Sequence, residues 1–102
     1  MTATVFAALG DEHRLRLLGR LSSGPASISG LTEGSGITRQ GVTKHLRVLA
    51  RAGLVRGTRR GKESLWRLER NRLEEAKSSL DLISRQWDVA LRKLRLYVEQ
   101  EN

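Results

Sequence analysis

The chain lacks cysteine altogether and has one proline and four aromatic residues in 102 positions. Without cysteine there is no disulfide, no thiolate metal site and no thiol nucleophile. That composition fits the cytoplasm. No stretch approaches the roughly 18 apolar residues that a bilayer crossing requires. The opening Met1–Gly10 has no basic start and only a short apolar run, so it does not read as a signal peptide. Internal repeats and low-complexity tracts are missing too. Enzyme chemistry has little to work with: no nucleophile–base pair, no glycine-rich phosphate loop ahead of a helix, no metal-ligand set. His13 and His45, the two imidazoles, fall on different expected helices. The chain is expected to be no enzyme, to need no metal or cofactor, and to stay off membranes.

Acidic residues are scarce where basic ones are dense. Formal net charge is +8. Between Arg39 and Arg72 lie eleven basic residues and two acids, Glu63 and Glu69, a net of +9. The other 68 residues sum to −1. Charge gathered into one segment makes a single electrostatic footprint of the kind that meets nucleic acid. By length the chain is one domain, 1–102. A monomer this small buries only about two-thirds of its unfolded surface, so a partner copy would add to its core.

The footprint is centred on Thr38–Gly53. Val42, Leu46 and Leu49 recur at the spacing of a buried helical stripe. Arg39, Gln40, Thr43, Lys44, Arg47 and Arg51 fall on the other side, with no acid among them. Such a face offers guanidinium, ammonium, amide and hydroxyl donors to phosphates and base edges. Thr38 can cap the first turn, and Gly53 suits the left-handed residue that ends a helix, with Leu54 packing back on Leu49. Gly41 costs about 1 kcal/mol inside a helix relative to alanine, which close packing or close approach to DNA would explain.

Upstream, residues 3–9 form a short apolar helix with Val5, Phe6 and Leu9 on one side, broken at Gly10. Asp11 caps a second helix whose buried stripe is Leu15, Leu18 and Leu21, with Leu17 flanking and Arg14, Arg16 and Arg20 outward. Ser22–Pro25 ends it. Ser27 caps a short helix with Ile28 and Leu31 inward, ending near Gly34, and Ile37 can staple the entry to the next helix. A short helix, a turn and the basic helix make a helix-turn-helix layout. Leu54–Arg60 and Glu63–Leu68 then read as two strands around Gly61, with Trp66 and Leu68 inward and Arg67 outward. Arg59, Arg60 and Lys62 crowd the tip, as in a wing that grips phosphates.

From Leu73 to about Val98 there is no glycine or proline. Leu73, Leu80, Trp87 and Leu94 hold one heptad position, and Ala76, Ile83, Ala90 and Tyr97 the other. Leu82, Leu91, Leu96 and Val98 widen the stripe. The helix is longer than a domain this small needs, and pairing with a second copy accounts for it. Trp66 and Trp87 are assigned to core and seam rather than to base stacking.

Three strings, Phe6–Leu18, Val42–Val55 and Arg60-Gly-Lys62, resemble the ArsR-type family of winged helix-turn-helix repressors over nearly the whole chain. The resemblance implies a homodimer that binds palindromic operator DNA and usually represses, with first and last helices forming the interface. It also places His45 by a hydrogen bond near the DNA backbone; a half-buried histidine satisfied within the chain is the competing reading. Metal-sensing members carry cysteine before the recognition helix, or Asp and His on the last helix. Ser29–Glu33 has no cysteine and the last helix has no histidine, so the chain resembles the non-metal branch.

The expected fold is mainly α (α+β), a winged helix-turn-helix with a two-stranded hairpin wing and a long C-terminal dimerisation helix. Its core spans about 11–68, with dimerisation helices about 3–9 and 70–99. The expected DNA contacts are Arg39, Gln40, Thr43, Lys44, His45, Arg47, Arg51, Arg59, Arg60 and Lys62. The expected dimer contacts are Val5, Phe6, Leu9, Leu80, Ile83, Trp87, Leu91, Leu94 and Tyr97. The partners are double-stranded DNA, within the nucleoid, and a second copy. An adaptor that pairs through the heptad helix without reading bases is the alternative.

Overall fold

Capped helices, a small sheet and one long arm make up the computed structural model, which describes residues 2–101. The order is α1 (Thr2–Leu9), α2 (Glu12–Leu21), β1 (Ala26–Ser27), α3 (Ile28–Thr32), α4 (Arg39–Arg51), β2 (Val55–Arg60), β3 (Glu63–Leu68) and α5 (Arg70–Glu101). This is a winged helix-turn-helix. The fully buried centre is Val5, Leu31, Val42, Leu46, Leu49 and Leu54, one contiguous cluster drawn from α1, α3, α4 and the residue before β2.

Helix starts follow their caps. The Asp11 carboxylate accepts from the His13 and Arg14 amides at 2.8 and 3.1 Å. Those bonds, Arg14 first, hold its carboxyl below the ordinary pKa against a desolvation that pushes it up. The Ser27 hydroxyl accepts from Gly30 N–H at 3.1 Å. At the far end of α4, Gly53 adopts φ 77° and Leu54 N–H donates to Leu49 O at 3.0 Å, the 6→1 bond of a Schellman end.

The stripe of α2 differs from the expected one. Leu17 is 2% exposed and Leu15 is 52% exposed. The inward face runs Arg14, Leu17, Leu18, Leu21, an i, i+3, i+4, i+7 series whose first member is an arginine. Arg14 and Arg20 are likewise not free outward cations. Arg14 Nε donates to Ala8 O at 2.5 Å at the end of α1. Arg20 donates to Leu31 O at 2.7 Å, Glu33 O at 3.0 Å and Gly30 O at the end of α3. Helix C-termini leave carbonyls without partners and carry partial negative charge, so both guanidinium groups act as C-terminal caps. Only Arg16 points outward, ion-paired with Glu12 at 2.5 Å.

The sheet has three strands, ordered β1-β3-β2, rather than two. The hairpin forms as expected, with Gly57 opposite Trp66 and Arg60 opposite Glu63. The added β1 pairs Ala26 with Trp66 and Ser27 with Leu65. Ser27 serves twice, because the extended backbone of an N-cap residue is also strand backbone. The short α3 ends at Thr32, before Gly34, and Gly34 (φ 71°) and Gly36 (φ 78°) carry the turn into α4.

Helix α5 begins at Arg70, and its 32 residues span about 48 Å. Ala76 is its buried anchor, and every residue from Leu80 to Gln100 is exposed. Leu82 and Leu96 do not widen the heptad stripe. Two residues turn a helix by about 200°, so Leu82, Val89 and Leu96 lie across α5 from Leu80, Trp87 and Leu94. Among the described residues no helix is long and apolar enough to cross a membrane.

Candidate nucleic-acid interface

Helix α4 is placed by its buried side. Val42, Leu46 and Leu49 have no exposed surface, which fixes the helix rotation and turns Gln40, Lys44, Arg47 and Arg51 to solvent. The Thr38 hydroxyl accepts from Gly41 N–H at 3.0 Å and fixes its start. A Cβ on Gly41 would lie 3.3 Å from that hydroxyl and 3.8 Å from Ile37 Cβ. Tight packing at the helix entry therefore accounts for the glycine.

Arg39, Gln40, Thr43, Lys44 and Arg47 line one open hollow on the outer face of α4. Thr43 donates its hydroxyl proton to Arg39 O at 2.9 Å, leaving its oxygen lone pairs outward. Arg39 Nη1 donates to Ser29 Oγ at 2.8 Å. The wing tip approaches the same end of the helix: Lys62, Glu63 and Ser64 share a polar cavity of about 130 Å³ with Ser27, Ser29 and Arg39, and Glu63 makes no ion pair there among the described residues. Arg59 Nε reaches Gly61 O at 3.4 Å. Arg51 sits in the last turn of α4, where a cation also favours the helix dipole.

Among the described residues none of these cations is spent on an acid. The ion pairs among the described residues are Arg16–Glu12, Arg72–Glu75 and Arg95–Glu99, all outside the segment 39–62. Arg60 faces Glu63 across the hairpin without ion-pair contact. The register also sets Arg56 directly opposite Arg67. Like charges opposed across strands are unfavourable, so this pair concentrates positive potential at a cost in stability. Sequence reasoning counted both in the net charge and missed their pairing, which only the register reveals. Ser29 and Ser64 were missed as well, since no motif spacing links them to the basic helix.

His45 stands apart from this row. It is half-buried, its Nδ1 is 3.4 Å from Arg14 Nη1, and its ring lies 5.7 Å from that of His13. The structure thus joins two imidazoles that the sequence separates by a helix. No third His, Cys, Asp or Glu joins them in a metal-ligand group among the described residues. The Arg14 cation beside them also opposes a metal ion. Of the apolar residues expected at a dimer seam, Val5 is 1% exposed and belongs to the chain's own core. Phe6 and Leu9 are half-buried against that core. Leu80, Ile83, Trp87, Leu91, Leu94 and Tyr97 are exposed, Trp87 at 63%.

Residues 9–58 match the family described as a helix-turn-helix domain. An ArsR-like transcriptional regulator from Rhodococcus sp. RHA1 superposes with a TM-score of 0.79 at 34% identity, over 91% of this chain and 88% of that one. The HTH-type transcriptional regulator NmtR of Mycobacterium tuberculosis is 36% identical over 66 residues. That match spans 65% of this chain and 55% of the curated relative's length. A homodimeric winged helix-turn-helix DNA-binding domain from Mycobacterium bovis has the same fold, with a TM-score of 0.67 at 22% identity over 80% of this chain and 77% of that one.

Proposed function

The chain belongs to the ArsR family of winged helix-turn-helix transcriptional regulators and is not an enzyme; from that premise we propose that it binds palindromic operator DNA as a homodimer and represses transcription. Helix α4 enters the major groove, where Gln40, Thr43, Lys44 and Arg47 meet base edges or phosphates. Arg39, Arg51, Arg59, Arg60 and Lys62 hold the phosphate backbone. His45 acts from behind, by tying α4 to α2 and α1. Residues 1–102 work as one domain, whose core reaches beyond the expected 11–68 to Val5 and Ala8 of α1 and Ala76 of α5. The protein acts on the nucleoid in the cytoplasm.

A second copy covers the apolar arm. Leu80, Ile83, Trp87, Leu91, Leu94 and Tyr97 of α5, with Phe6 and Leu9 of α1, form the seam. Water contact along such a row is costly enough that a partner is the economical resolution.

The observation that carries this reading is the row of cations on α4 and the wing, free of ion pairs, beside a helix rigidly set by its core stripe. The experiment is selection of bound fragments from a random duplex library at about 0.15 M salt, where screening is physiological. A two-fold symmetric motif with half-sites about one helical turn apart is the expected result. Strong retention with no motif would leave an adaptor or non-specific DNA-associated protein instead.

A further inference from the structure

Between α2, α3 and the turn into α4 lies a cavity of about 100 Å³. Its apolar side is Leu17, Leu31 and Ile37. Its polar side is His13, Arg16, Arg20 and Ser35; no acid lines it, and Arg16 at its rim is shared with the exposed Glu12. Ordered water is satisfied only along the polar side, and the side formed by Leu17, Leu31 and Ile37 offers it no partner. A cavity of 150 Å³ lined by apolar side chains holds benzene, so this one suits a smaller body. A few apolar atoms with one anionic end match both halves of the lining.

The cavity also touches the joint that sets α4. Arg20 holds the end of α3 through Gly30 O, Leu31 O and Glu33 O. Gly34 and Gly36, at φ 71° and 78°, carry the turn. Between them Ser35 Oγ donates to Thr32 O at 2.7 Å and accepts from Ile37 N–H at 3.2 Å. An anion that engages the Arg20 guanidinium competes with the α3 carbonyls for it. A ligand shifts a conformation only by binding its two states unequally, and competition for Arg20 supplies that difference.

We propose that this cavity is an effector site for a short-chain carboxylate of roughly three to five carbons, small enough for the space, with Arg16 and Arg20 taking the carboxylate. Its occupancy loosens the α3–α4 turn and weakens DNA binding, a regulatory role that rests on the DNA-binding reading above. Nothing in the sequence pointed to it, because its lining comes from three separate elements.

The test is an amide-shift titration of the ¹⁵N-labelled full chain with acetate, propionate, butyrate and hexanoate at constant ionic strength, with chloride and inorganic phosphate as controls. The expected result is saturable shifts at Leu17 and residues 30–37, strongest for the three- to five-carbon acids. Arg16 is exposed and pairs only with Glu12, so Arg16→Glu keeps the fold. It should weaken binding about tenfold or more, the scale of one charge-assisted hydrogen bond. Equal shifts with chloride, shifts confined to residues 39–62, or indifference to Arg16→Glu would overturn the site. Retention of a bound duplex is measured with and without butyrate; retention unchanged at saturation would overturn the regulatory role. Should the chain fail to bind DNA at all, the amide titration still decides the cavity.

Discussion

The arginines of α2 and those of α4 and the wing are the same side chain put to opposite uses. Arg14 and Arg20 lie within reach of carbonyls that α1 and α3 leave open, and they are consumed there. Among the described residues Arg47 and Arg60 meet neither an acid nor a helix end in reach, and they remain available. Leucine divides the same way. Leu31, Leu46 and Leu49 are consumed by the core, whereas Leu80, Leu91 and Leu94 on the arm are not. Residue type alone does not mark a side chain that meets DNA or a second copy; bonding capacity left unspent inside the fold does.

The largest test of that division falls on the arm. Trp87→Ala should leave the body folded, because the ring touches none of the core. It should cost the dimer about 3 to 5 kcal/mol if the ring is buried between copies. Sedimentation at several concentrations reads this directly. A variant that dimerises as tightly as the parent would break the comparison, since Trp87 would be exposed for no partner's sake.

Arg20→Ala tests the consumed class. Two carbonyls of α3 and that of Glu33 just past it would lose a charged donor, and partial exposure limits the cost to about 1 to 2 kcal/mol. For a domain of this size that is a fall in Tm of about 5 to 15 °C. Arg47→Ala should do the reverse, leaving Tm unchanged and weakening operator binding by about 1 to 3 kcal/mol if it pairs with a guanine. If the two variants exchanged phenotypes, the division between spent and unspent cations would fail.

Those contrasts also mark what could be seen in the sequence. Asp11, Ser27 and Thr38 were legible as caps because capping is local, a hydroxyl or carboxylate two or three residues from its amide. Val42, Leu46 and Leu49 were legible because one helix dictates their spacing. Gly53 and Gly61 announced a helix end and a hairpin. What was illegible needed two elements at once. Arg14 looked like a surface cation until the end of α1 was set beside it. His13 and His45 looked unrelated until α2 crossed α4. β1 has two residues, too few to show any period. Leu82 and Leu96 differ in kind: they lie within the heptad run, but each stands two residues, about 200°, round the helix from Leu80 and Leu94. In the candidate interface, the cation row could be read from α4 alone, whereas the cavity that Lys62 and Ser64 share with Arg39 could not.

A smaller effect separates positioning from reading within the basic segment. Arg60→Ala and Lys62→Ala should each weaken binding almost equally for every duplex. Each should reduce the dependence of log K on log salt by about one unit, the release of one phosphate's counterions. A change in preferred sequence would show instead that the wing reads bases.

The smallest expected effect is an acid-side one. Asp11 has its carboxyl held below the ordinary aspartate range by the amides it caps, that of Arg14 first. A depressed carboxylate contributes stability above its unfolded pKa, and that contribution is lost as pH falls through the folded value. The parent should therefore lose Tm below about pH 4, near the unfolded aspartate pKa, partly through Asp11. Asn is a comparable N-cap and cannot titrate, so Asp11→Asn should keep α2 capped and flatten that part of the Tm profile. It would also strip the negative charge that sits at the α2 N-terminus beside the Arg14–His45 contact. If the acid limb were unchanged in Asp11→Asn, the cap would be acting through geometry alone. Asp11 would then count among the structural bonds, and its charge would be as unspent as that of Arg47.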